Sequence, residues 1–172
     1  MKKHTCIFTG VFLSFFCSLL FSFPSHASQI GTKKTFGVGV SGGYSYSALS
    51  GKFYLSPGTG LEIDLGLPYA GGIGSYLTIG ANLSLESISL AKMEAGKLFL
   101  PLRVGPYAFI PLGSGPFGVS LPFGFGIQAG AGLGFHLNKV PLEFVLGLGV
   151  ALNIVPAVAL GFSGNFAIRY FF

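Results

Sequence analysis

Six charged residues fall where the surrounding pattern calls for small side chains: Lys52, Glu62, Asp64, Arg103, Glu143 and Arg169. Opposite charges enclosed by protein need partners, because an unpaired buried charge is costly. Pairing residues 49–55 with 61–67 around Pro57-Gly58 sets Lys52 opposite Glu62 or Asp64. Pairing 142–151 with 158–172 around Val155-Pro156 brings Glu143 close to Arg169, and Arg103 is left to reach across toward an acid. The chemistry this predicts is mutual neutralisation. Catalysis has little to work with. His136 is the sole histidine after residue 27, and its neighbours Leu137 and Asn138 supply no nucleophilic serine for a triad. One histidine, with no cysteine in that region and no tight carboxylate cluster, offers no metal-ligand set. Gly130-x-Gly132-x-Gly134 and Gly147-x-Gly149 look like pieces of a nucleotide loop, but such a loop needs a strand before it and a helix after it. No cofactor is expected.

The elements that carry these residues repeat every second position. In the closing segment Val158, Leu160, Phe162, Phe166, Ile168, Tyr170 and Phe172 alternate with Ala159, Gly161, Ser163, Asn165, Ala167, Arg169 and Phe171. A period of two places these sets on opposite faces of a strand. The same alternation runs through 36–46, 49–55, 61–67, 76–85, 98–108, 123–136 and 142–151, which predicts eight strands. Turn-forming stretches separate them at 56–59, 68–74, 91–96, 111–116, 138–139 and 155–156, and the first hairpin is placed near Ala48.

Residues 1–27 are a separate object. Lys2, Lys3 and His4 precede an apolar stretch from Ile7 to Phe23, then Pro24 and the small-x-small run Ser25-His26-Ala27. This is the form of a secretory signal peptide cut after Ala27, leaving 28–172 as one domain. Both cysteines, Cys6 and Cys17, lie in that leader, so no disulfide framework is expected. Loss of Lys2 and Lys3 lowers the formal charge from +5 to +3, with no basic cluster, which argues against nucleic-acid binding.

Composition decides which face meets which solvent. Only 9% of residues are charged, against about 25% in an ordinary soluble domain. After residue 28 no apolar run approaches the ~20 residues of a membrane helix. The bulky face is apolar on all eight segments, while the charges share the face of Gly, Ser and Ala. Turning the bulky face to lipid and the charged face inward satisfies both. The opposite choice would place Arg and Lys in hydrocarbon at about 2–4 kcal/mol each near the midplane. The expected fold is therefore all-β, an eight-stranded antiparallel up-and-down transmembrane barrel, whose closure removes unpaired strand edges.

The alternating strand ending in Phe166, Ile168, Tyr170 and Phe172 resembles the C-terminal assembly signal of bacterial outer-membrane proteins. The wider chain resembles small eight-stranded barrels of the OmpA-transmembrane and OmpX type. It looks closest to short spirochaetal examples through "LSGKFYLSPGTGLEIDLGL", "PLEFVLGLGV" and "IRYFF". The resemblance implies insertion by the barrel-assembly machinery, outer-membrane lipids as surroundings, both termini in the periplasm and a monomer. The function expected is a structural or passive small-solute role, with the lumen plugged by the ion pairs. The runner-up is a host-surface or ligand-binding barrel acting through extracellular connections at 46–50, 68–74, 111–121 and 153–157. Some outer-membrane lipid A deacylases use a His-x-Ser arrangement, and the missing serine beside His136 counts against an enzyme.

Overall fold

A computed structural model describes residues 29–43, 46–68, 76–113 and 122–172; the leader expected at 1–27 lies outside them. Eight strands follow in order: β1 Phe36–Gly43, β2 Tyr46–Ser56, β3 Thr59–Pro68, β4 Tyr76–Lys92, β5 Gly96–Pro111, β6 Gly124–Leu137, β7 Leu142–Val155 and β8 Ala159–Phe171. Each pairs antiparallel with the next, and β8 returns to β1, so the sheet closes as an up-and-down barrel. No helix occurs among the described residues. One end, here the turn end, gathers the short connections at 57–58, 93–95 and 138–141 with the segment before β1. The other, the loop end, gathers the strand ends Gly43, Tyr46, Pro68, Tyr76, Pro111, Gly124, Val155 and Ala159; the connections expected at 68–74 and 111–121 fall largely outside the described residues.

The first hairpin differs from the sequence expectation. β1 stops at Gly43 and β2 begins at Tyr46, with Gly42 opposite Ser47, so Ala48 lies inside β2 and faces the interior. The proposed connection at 46–50 is thus strand, as are Asn153 to Val155 at the end of β7. The stretch "SGGYSYSALSG" has no proline or Asn-Gly to mark its turn. Residues 44–45, within the first alternating segment expected at 36–46, lie outside the described residues.

Side chains divide by parity, as a pleated strand requires. On the outer face Leu49, Leu65, Leu146, Leu160 and Ile168 are exposed, Leu148 is 77% exposed and Phe162 is 96% exposed. The inner face holds the buried polar residues together with Tyr54, Phe99 and Phe171. The large inner rings fit because glycine faces them. The Phe99 ring lies over Gly134 and the Phe171 ring over Gly37, so closely that a Cβ at either glycine would collide with it. Overpacking of this kind costs about 1–3 kcal/mol. Gly134→Val is expected to displace the Phe99 ring and destabilise the barrel by that amount, read as a lower urea midpoint with an unchanged slope. The equivalent change at Gly161, whose inner side is open, should cost far less.

Candidate functional site: a buried charge cluster and a polar vestibule

The interior has two layers. In the half near the turn end, strand register brings the charges together. Lys52 on β2 stands opposite Glu62 on β3, and Glu143 on β7 opposite Arg169 on β8. Lys52 Nζ lies 3.2 Å from Glu62 Oε1 and 2.9 Å from Glu143 Oε2, and it also donates to Glu86 of β4. Arg169 spans two acids, with Nη1 at 2.7 Å from Glu143 Oε1 and Nη2 at 3.1 Å from Glu62 Oε2; its Nε donates to Ser50 Oγ at 2.8 Å. Arg103 reaches across from β5 to Glu62 Oε2 at 3.4 Å and donates to Asn165 of β8.

Three cations thus meet three carboxylates, and the cluster closes on itself in charge. Its members are almost fully enclosed: Lys52 and Arg169 are each 1% exposed, Glu62 and Glu143 not at all. Enclosure on this scale removes water from every charge, so each must find its partners inside the protein. Tyr54 donates its hydroxyl to Glu86, and His136 Nε2 sits 2.9 Å from Glu143 Oε2. Below them Tyr54 and Phe171 pack with ring centroids 5.6 Å apart, and Phe99 lies 4.3 Å from the His136 ring. Gly31, in the segment before β1, covers the Tyr54 ring.

Five of the six charged residues singled out in the sequence meet in this cluster: Lys52, Glu62, Arg103, Glu143 and Arg169. Asp64 stands apart; its carboxylate accepts from Ser41 Oγ at 2.8 Å. Glu86 was not singled out, because the expected strand ended at Leu85 and the alternation breaks just beyond it. His136 lies inside, since β6 continues through Leu137 and the Phe99 ring packs against it. Phe166, Ile168, Tyr170 and Phe172 share the outer face of the β8 segment, and Arg169 points inward between them.

Glu86, His136 and Glu143 place ligand atoms within 4.8 Å of one another. The position a divalent ion would take is already served by the Lys52 ammonium, which contacts both carboxylates. A metal would have to displace that ammonium and leave it buried with Glu62 as its one remaining carboxylate partner, which disfavours the site.

Toward the loop end the interior opens into a cavity of about 240 Å³. Asp64, Thr78, Asn82, Arg103, Tyr107, Gln128, Asn153, Ser163 and Asn165 line it. Tyr107 donates to Asn153, and Gln128 donates to Asn82 Oδ1 at 3.0 Å. The vestibule mixes these polar, mostly uncharged residues with apolar ones such as Ile79, Phe109 and Ala151, and Arg103 links it to the ion-pair cluster. No protein-family model matches the chain, and neither curated proteins nor solved structures match it.

Proposed function

We propose that this chain is an integral barrel of a bacterial outer membrane, with a structural or passive role and no enzymatic activity. The outer face carries the reading. Its exposed side chains run Leu, Val, Ile and Phe around all eight strands, while every charge on the strands at mid-height points inward. Water would penalise so large an apolar surface; a soluble monomer rarely exposes more than a few hundred Å² in one patch. Hydrocarbon accepts that surface, and it accepts a sheet only when closure leaves no free backbone edge. Most strands have 10 to 17 residues, enough to cross a bilayer at the usual tilt.

On this reading the ion-pair cluster is a plug. An eight-stranded barrel leaves an interior just filled by side chains, and here six charges and three aromatic rings occupy its lower half. Passage of ions would require breaking several paired contacts at once. The alternating end of β8 supports delivery by the barrel-assembly machinery, with the turn end toward the periplasm. Two linked measurements test the proposal. Protein folded in detergent micelles should migrate differently on a gel before and after boiling. The same preparation in a planar bilayer should show no large steady openings. Identical migration would refute the closed membrane barrel, and a steady ohmic current would refute the plug.

The vestibule favours a second reading, in which the loop end binds a small polar solute. The cavity offers several neutral hydrogen-bonding side chains, one carboxylate and the Arg103 guanidinium. Solute entering there would be held and not passed on.

A further inference from the structure

The charged residues at the two ends of the barrel have a one-sided distribution. Lys33 and Lys34 lie in the segment before β1, Lys92 ends β4, Glu94 follows it, Lys97 is at the start of β5 on its inner face with Nζ 6.0 Å from the Phe99 ring, and Lys139 sits between β6 and β7. All belong to the turn end, where five lysines face one glutamate. The connections at the loop end, 44–45, 69–75, 112–123 and 156–158, contain no Asp, Glu, Lys or Arg.

One contact says what Lys34 faces. Lys34 Nζ lies 6.0 Å from the Tyr170 ring, whose centroid is 5.2 Å from that of Phe172; Phe172 in turn stacks on Phe36. Outward aromatic rings at a barrel end mark the level where hydrocarbon gives way to head groups. Lysines at that level extend past the rings toward phosphate.

We propose that this collar binds the phosphate groups of anionic phospholipids in the leaflet at the turn end. The proposal rests on the membrane-spanning reading. The lysines are spread over three separate connections around the barrel and not gathered on one face. That spacing suits several small head groups better than one extended polyanion. A basic side chain near an anionic surface gains roughly a fivefold preference at low salt, and salt screens it within a Debye length.

The test uses the full barrel in phosphatidylcholine vesicles with spin-labelled phosphatidylglycerol or phosphatidylcholine as probe. The motionally restricted signal reports lipid in contact with protein. The expected result is selection of phosphatidylglycerol by several-fold at low salt, lost at high salt. Combined Lys33→Gln, Lys92→Gln and Lys139→Gln replacements, all at exposed positions, should abolish the selection and leave the restricted fraction unchanged. Equal restriction of the two probes, or selection that survives the replacements, would overturn the collar while leaving the membrane reading intact. No restricted signal from either probe would overturn both.

Discussion

Replacing Glu62 with alanine is expected to destabilise the barrel by about 3–5 kcal/mol, the usual consequence of removing one partner from a buried ion cluster. Glu62 is fully buried and lies within 3.4 Å of three cations: Lys52, Arg103 and Arg169. Its loss leaves three positive groups sharing two carboxylates in an enclosed site. Against a typical total stability of about 5–15 kcal/mol the effect would dominate. Urea unfolding in lipid vesicles, followed by tyrosine fluorescence, would measure it. A second variant separates charge from packing. Glu62→Gln keeps the shape and loses only the charge, so it should recover little. Adding Arg103→Met to Glu62→Gln removes one unpaired cation and should restore part of the stability. If both glutamate variants remain within about 0.5 kcal/mol of the parent, the size of an ordinary surface change, the carboxylate is not holding the interior together.

The second large effect lies on the opposite side of the same wall. Leu148 sits halfway along β7, 77% exposed, with its side chain on the outer face. In water, Leu148→Arg would be a surface substitution within about 0.5 kcal/mol of neutral. In a bilayer it would place a guanidinium near the midplane and cost about 2–4 kcal/mol. The same change at Phe172, at the barrel end, should cost about 0–1 kcal/mol, because the penalty falls off toward the interface. A depth-dependent difference between the two positions supports hydrocarbon around the barrel. Equal small effects would sink that assignment.

Both variants exploit what the sequence made readable. The period of two around Arg169, with Ile168 and Tyr170 on the other face, is enough to place strand, parity and inner side. Adjacent pairing around a marked turn was readable too, as Lys52 opposite Glu62 around Pro57-Gly58 illustrates. Contacts across the barrel were readable only in outline: Arg103 was expected to reach across to an acid, but nothing local said that the acid is Glu62. Lys52 meets Glu86 and Glu143 from distant strands, and no local spacing encodes which inward residues share a depth. Glu86 was hidden for a further reason. The β4–β5 register shifts between Leu85 and Ile88 and again between Ser89 and Ala91. Glu86 therefore has the parity of Ile88 and Leu90, which are exposed, although it points inward itself. Tyr54 and His136 had the correct parity but no visible partner until the aromatic floor was in place.

Closure of the sheet through Phe36–Gly43 and Asn165–Phe171 has a consequence for how the molecule comes into being. The first strand has one neighbour early in synthesis and waits for its other until the final strand is present. Until then the curled ribbon carries two unsatisfied margins, each able to recruit a foreign strand. Closure is consequently a late step: the β1–β8 pairing forms only once the whole ribbon is present. A version lacking β8 would keep most of its contacts yet remain an open, adhesive sheet.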